Sequence, residues 1–181
     1  VYDGAGDVLM QTGSSENYGN VTIAGSGDKS FEGSQTIRGT LRLEGSTVTT
    51  NNFTMASGSK IQRAGTNTEG ILDAAVSIDG GNDYTIEYVG VGKVAQDPEF
   101  SGAGTKDLIV NVDASNTLSL HANKTIRDLT LSGGVFNDST FTLTVNGDIA
   151  NSATHSSQSG RISLYGVSGA HVIFGDGNGF F

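Results

Sequence analysis

Three histidines are the first candidates for chemistry, and they stand far apart: His121, His155 and His171. Their spacing forms neither an HxH nor an HExxH pair, so no helical or strand zinc site is encoded. A serine hydrolase needs a positioned Ser–His–acid set, and no GxSxG turn is present to present the serine. Carboxylates are more numerous. Most stand singly beside glycine, as in Asp79-Gly80-Gly81 and Asp176-Gly177, where Asp and Gly are turn formers. A glycosidase acid/base pair is not legible among them. The same loops, Asp79-Gly-Gly-Asn-Asp83 and Gly175-Asp-Gly-Asn-Gly179, offer oxygen ligands of the kind a hard cation takes. Asp79, Asp83 and Asp176 are therefore the calcium candidates, beside their plainer role in turns. No catalytic residue is nominated. Tyr2, Tyr84, Tyr88, Tyr165 and Phe174 could serve as sugar-stacking platforms, provided they are exposed in a row. Thr140-Phe-Thr-Leu-Thr-Val raises the idea of a water-ordering threonine row, but threonines show no regular recurrence at a winding period.

The elements that would position these residues are short strands. Alternating apolar segments recur every ~8–12 residues: 21–24, 36–38, 40–44, 53–56, 60–62, 75–79, 84–88, 108–113, 117–121, 129–132, 140–145, 161–165 and 171–174. Gly, Asn, Asp and Ser separate them, and no window carries a 3.6-residue apolar period. The chain has 27 Gly, one Pro and no Cys in 181 residues. Hydrophobic residues make up 35% and charged residues 16%. Low hydrophobicity without high charge density does not describe a disordered chain. The reading is all-β.

Ten Lys and Arg stand against 19 Asp and Glu, a net charge of −9. Such a surface repels phosphates, so nucleic acid is not an expected partner. No apolar run reaches the ~20 residues of a membrane-spanning helix, so no transmembrane segment is expected. Without Cys there are no disulfides or thiolate metal sites.

A repeat organises the whole. Thr36-Ile37-Arg38-Gly39 returns as Thr125-Ile126-Arg127-Asp128, and Leu41-Arg42-Leu43 as Leu129-Thr130-Leu131. In the same phase Val48 matches Phe136, Phe53 matches Phe141, Met55 matches Leu143 and Ile61 matches Ile149. Tyr2-Asp3-Gly4-Ala5-Gly6 resembles Tyr88-Val89-Gly90-Val91-Gly92, and more loosely Phe174–Gly179. Two copies of an ~88-residue unit are expected, about 1–86 and 87–174, with a third beginning at 175–181. Low core content with many short strands suits a thin β-solenoid, whose windings lie ~4.8 Å apart and touch only their neighbours. At ~20–25 residues per winding the chain makes about eight windings. A string of β-sandwiches is the alternative, weakened by the absence of Trp.

The run Asp107-Leu-Ile-Val-Asn-Val, then Leu118-Ser-Leu, Thr125-Ile-Arg-Asp-Leu-Thr-Leu-Ser-Gly-Gly and Phe141-Thr-Leu-Thr-Val-Asn-Gly-Asp-Ile resembles the Thr/Asn/Gly-rich β-helix arrays of large secreted and surface proteins of the Bacteroidetes. Those are commonly exported by the type IX system and act as adhesins or coats. The resemblance implies a right-handed parallel β-helix and an extracellular or bacterial cell-surface location. It implies a structural or adhesive role without catalysis, as stalk, coat or fibre. It also makes Ser139, in Asp138-Ser139-Thr140, an O-glycan acceptor candidate. Partners would be further repeats of the same chain or neighbouring copies, and surface polysaccharide. A carbohydrate-binding or polysaccharide-active appendage is the alternative function.

Overall fold

Alternation of apolar and polar residues drives one side of each strand inward, and the strands are too short to do anything but stack. A computed structural model describes residues 4, 8–10, 17–81, 83–166 and 171–175. Nearly every element is a parallel strand, and the fold is a parallel β-solenoid. The described residues divide into two units. One takes the chain up to Ile86 together with Gln96–Gly104; the other takes Glu87–Ala95 and the chain from Thr105. The chain passes from the first to the second within the strand Tyr84–Gly90.

In the first unit the chain visits three faces in turn. Face I holds Val21–Ile23, Thr40–Leu43, Lys60–Arg63 and the start of Tyr84–Gly90. Face II holds Val8–Met10, Lys29–Phe31, Thr47–Val48 and Ile71–Leu72. Face III holds Asn17–Tyr18, Gln35–Ile37, Phe53–Met55 and Ser77–Ile78. Successive windings pair in register: Val21 with Leu41 and Leu41 with Ile61, Gln35 with Phe53, Ile37 with Met55. Each of these inward residues is buried. They form columns in which every side chain rests on its counterpart one strand spacing away, ~4.8 Å.

The second unit repeats the plan. Face I holds Lys106–Val112, Leu129–Gly133, Ile149–Asn151 and Ile173–Gly175. Face II holds Lys93–Val94, Thr117–Ser119, Val135–Ser139 and Thr154–Ser157; face III holds Lys124–Ile126, Thr142–Val145 and Arg161–Leu164. Its columns are Leu108–Leu129–Ile149–Ile173, Leu118–Phe136–His155 and Leu143–Ile162. The matched segments fall on matching faces. Gln35–Ile37 and Lys124–Ile126 both lie on face III, Leu41 and Leu129 on face I, and Val48 and Phe136 on face II.

Corners between faces III and I are tied by a side chain from the winding before. Asn20 Oδ1 accepts the Thr40 amide at 2.8 Å, Asp128 Oδ1 accepts that of Asp148 at 2.7 Å, and Asp148 Oδ1 accepts that of Val172 at 2.9 Å. Gly39 and Gly147 precede two of those amides because nothing larger fits. A Cβ at Gly39 would lie 2.3 Å from Asn20 Oδ1, and one at Gly147 2.0 Å from Asp128 Oδ1.

Several strands escape the reading of the sequence. Lys29–Phe31, Lys93–Val94 and Lys124–Ile126 each place a lysine inward. For Lys29 and Lys93 the amine meets carbonyls of the preceding turn. Lys29 Nζ donates to the carbonyls of Ser26 and Gly27, and Lys93 Nζ to that of Val89 at 2.5 Å. Threonine recurrence is also corrected. Thr36 pairs with Thr54 and Thr54 with Ser77, and Thr125 pairs with Thr144 and Thr144 with Ser163, so a hydroxyl column does run up face III of each unit. Windings of unequal length hide that register in the linear sequence. Among the described residues no helix is long and apolar enough to cross a membrane.

Candidate functional site

A buried polar cluster lies in the first unit and begins at an inward position of a regular strand. Along Lys60–Arg63 the parity alternates, so Ile61 and Arg63 both point inward. Arg63 takes the place held by Ile23 and Leu43 in the preceding windings. Its guanidinium is fully buried, and a cation there requires a counter-charge. Glu99 supplies it, also fully buried, with Arg63 Nη1 donating to Glu99 Oε1. Arg63 Nη2 adds donations to the carbonyls of Thr66 at 3.2 Å and Glu69 at 3.4 Å.

Glu99 arrives on an excursion. In the winding that begins with Tyr84–Gly90 no strand occupies face III, and the chain instead makes the one-turn helix Asp97–Ser101. Pro98, the single proline of the chain, sits in its first turn, where a missing amide proton costs nothing. Tyr84 pins this strap, its hydroxyl donating to the Glu99 carbonyl at 2.6 Å. Burial first, and the charge of Glu99 second, pushes the Tyr84 phenol far above its ordinary range. Gly102 closes over the ring, and a Cβ there would lie 3.0 Å from both Tyr84 Oη and the Val76 carbonyl. Closed to solvent and fully neutralised, this cluster holds the strap in place and offers no group to a substrate.

A second buried pair belongs to the second unit. Asp138 points inward from Val135–Ser139 and meets His155 Nε2 at 2.9 Å through Oδ2. The imidazole stacks on Phe136 at 5.9 Å between ring centres. Asp138 Oδ1 has no hydrogen-bond partner. The other histidines are elsewhere: His121 is exposed after Thr117–Ser119, and His171 bonds the Gly147 carbonyl through Nδ1 at 2.8 Å. The three histidines do not meet.

The calcium candidates divide. Asp79 opens a short turn with Gly80 at φ 68°, and Asp83 gives its backbone carbonyl to the Gly58 amide at 2.7 Å. Asp176 lies outside the described residues, as do Tyr2 and the rest of the Gly175–Gly179 loop after Gly175. Among the described residues no group of three or more His, Cys, Asp or Glu could hold a metal ion. Ser139 occupies a left-handed turn at φ 58° and is half-buried; its carbonyl accepts the amides of Gln158, Ser159 and Gly160.

The aromatic platforms need correction. Tyr84 is 1% exposed and Tyr88 0%, because both point inward from Tyr84–Gly90. Tyr165 and Phe174 are exposed, but Phe174 stands on face I and Tyr165 just past a face III strand, so no single row forms. Phe174 edges an open trough of about 280 Å³ above Ala150, bordered by Thr130 and Ser152. Arg38 is exposed, whereas its repeat mate Arg127 clamps Asp107 of the preceding winding, Nε to Oδ1 at 2.9 Å and Nη2 to Oδ2 at 2.5 Å.

Arg63 and Glu99 were not nominated from the sequence. Two signals pointed to them: inward parity for Arg63, and a lone proline within an overlong winding for Glu99. Compared with known proteins, the chain matches no family model, no curated protein and no solved structure.

Proposed function

We propose that this chain is a structural or adhesive repeat module of a long extracellular or cell-surface protein, working as part of a stalk, coat or fibre and not as an enzyme. One observation carries the reading. What recurs between the two halves of the sequence is scaffold: inward aliphatics such as Leu41 and Leu129, or Ile61 and Ile149, and corner turns. The side chains with reactive groups do not recur. Asp138 and His155 have no such mates, and Arg127 clamps a neighbouring winding where Arg38 stands exposed. Repetition of that kind sets length and shape, since each winding adds rise and a neighbour to rest on. The acidic, cysteine-free exterior suits a solvated surface element.

The Thr/Asn/Gly-rich resemblance supports the location and adds Ser139 as a glycan acceptor. Further repeats, neighbouring copies and surface polysaccharide are the partners that fit. Protease treatment of intact source cells, followed by immunodetection, tests the reading. Digestion of the chain in unbroken cells or its recovery from the medium supports it. Protection until lysis sinks it.

A further inference from the structure

Not every part of the first unit repeats. In three successive windings the connections from face I to face II are residues 24–28, 44–46 and 64–70, so the third is the longest. Where the repeated part of an array is scaffold, a lengthened connection is often where the binding face lies. Together the three connections border a trough of about 210 Å³, lined by Ser26, Asp28, Ser46, Thr47, Thr68 and Glu69 beside two glycines.

Both walls of the trough are held from inside the core. Lys29 Nζ donates to the carbonyls of Ser26 and Gly27 on one side, and Arg63 Nη2 to those of Thr66 and Glu69 on the other. Stability alone does not call for Arg63. The preceding windings fill its position with Ile23 and Leu43, and a buried ion pair is often no more stabilising than apolar side chains of similar volume. What Arg63 and Glu99 add is a fixed loop. Between the walls, a Cβ on Gly45 would lie 2.2 Å from the Gly25 carbonyl oxygen, and the Ser46 hydroxyl donates to that same oxygen at 2.9 Å. Thr66 Oγ1 donates to Glu69 Oε2 at 3.1 Å and orients the carboxylate. A recess fixed in this way loses little further freedom when it is filled.

The lining is glycine, hydroxyl and carboxylate. Hydroxyls both give and accept hydrogen bonds, and a carboxylate accepts through two oxygens, which matches a ligand dense in hydroxyls. A metal ion is not matched, since among the described residues no group of three or more His, Cys, Asp or Glu could hold one. Asp28, Glu69 and the net charge of −9 repel an anionic sugar. The volume falls below the ~300–1,000 Å³ of pockets for larger organic ligands, so a single ring is the size that suits it.

We infer that this trough binds one neutral sugar unit, with Asp28 and Glu69 accepting from its hydroxyls and Ser46, Thr47 and Thr68 completing the contacts. The inference deepens the surface-polysaccharide partner named above and rests on that reading for the source of the ligand alone. Sugar binding by the purified chain is decided separately from where cells place the chain.

Amide chemical-shift mapping of the full chain, with glucose, galactose, mannose and N-acetylglucosamine each titrated to ~100 mM to cover millimolar affinity, tests it. Saturable shifts at 25–28, 46–47 and 66–69 are expected with at least one of these sugars, and its binding should exceed that of glucuronate several-fold. Asp28→Asn and Glu69→Gln alter exposed side chains; each should weaken binding several-fold with an unchanged melt. The double variant Arg63→Met, Glu99→Leu keeps apolar groups in the core but releases the loop carbonyls, so it should stay folded and bind several-fold more weakly. No saturable shift with any of the four sugars overturns the inference. So do shifts that both carboxamide variants leave undiminished, or a response of these amides to calcium chloride and not to sugar. Unchanged binding in the double variant overturns the positioning role of Arg63.

Discussion

Removing Glu99 should strongly destabilise the first unit, and removing its partner as well should restore it. Both side chains of the Arg63–Glu99 pair are 0% exposed. Breaking a buried pair from one side costs about 3–5 kcal/mol because the survivor is left uncompensated. Glu99→Leu leaves Arg63 with the Thr66 and Glu69 carbonyls, which sets its cost near the lower bound. Arg63→Met leaves the Glu99 carboxylate buried without its guanidinium and sits near the upper. Total stability for such a unit is about 5–15 kcal/mol. With a urea slope of about 2 kcal/mol/M, either single change should lower the midpoint by about 2 M. The double variant exchanges the pair for apolar groups of similar reach, which is about neutral or stabilising. The assay is urea unfolding followed by far-UV circular dichroism. Hydrogen exchange at Lys60–Arg63 confines the effect to the first unit, since solenoid windings unfold with their neighbours rather than all together. Two results refute the reasoning: a single change costing less than about 1 kcal/mol, or a double variant that loses the sum of both singles.

Leu131→Ala, in the middle of a fully buried column, should cost about 2–5 kcal/mol in the same assay, whereas its outward neighbour Thr130→Ala should stay within about 0.5 kcal/mol. Gly147→Ala forces a methyl to within 2.0 Å of Asp128 Oδ1; it should cost about 1–3 kcal/mol through the lost corner bond, while Gly19→Ala, with no atom within 4 Å of its added carbon, should be tolerated. Tyr84 has its folded-state pKa raised. Its contribution to stability is therefore complete below the ordinary phenol value of about 10 and is lost as pH rises from there toward the folded value. Absorbance titration should show a phenol ionising only with unfolding, and Tyr84→Phe should remove that late phase.

Strand alternation and turn residues at regular intervals were enough to favour a solenoid of about eight windings over a string of β-sandwiches. Those signals are local, and a thin column asks little more of its residues than correct parity. Tertiary structure decided what parity alone does not carry. It turned Lys29 and Lys93 inward, where their amines meet carbonyls only two to four residues back along the chain. It buried Tyr84 and Tyr88, which composition would equally allow on a sugar-binding face. It brought Glu99 to Arg63 across 36 residues and His155 to Asp138 across 17, because winding lengths that vary between about 18 and 25 residues set which positions stack. A linear reading sees the order of the side chains along the chain. Which of them meet is determined by how many residues each turn of the solenoid takes, and that depends on the packing of every corner.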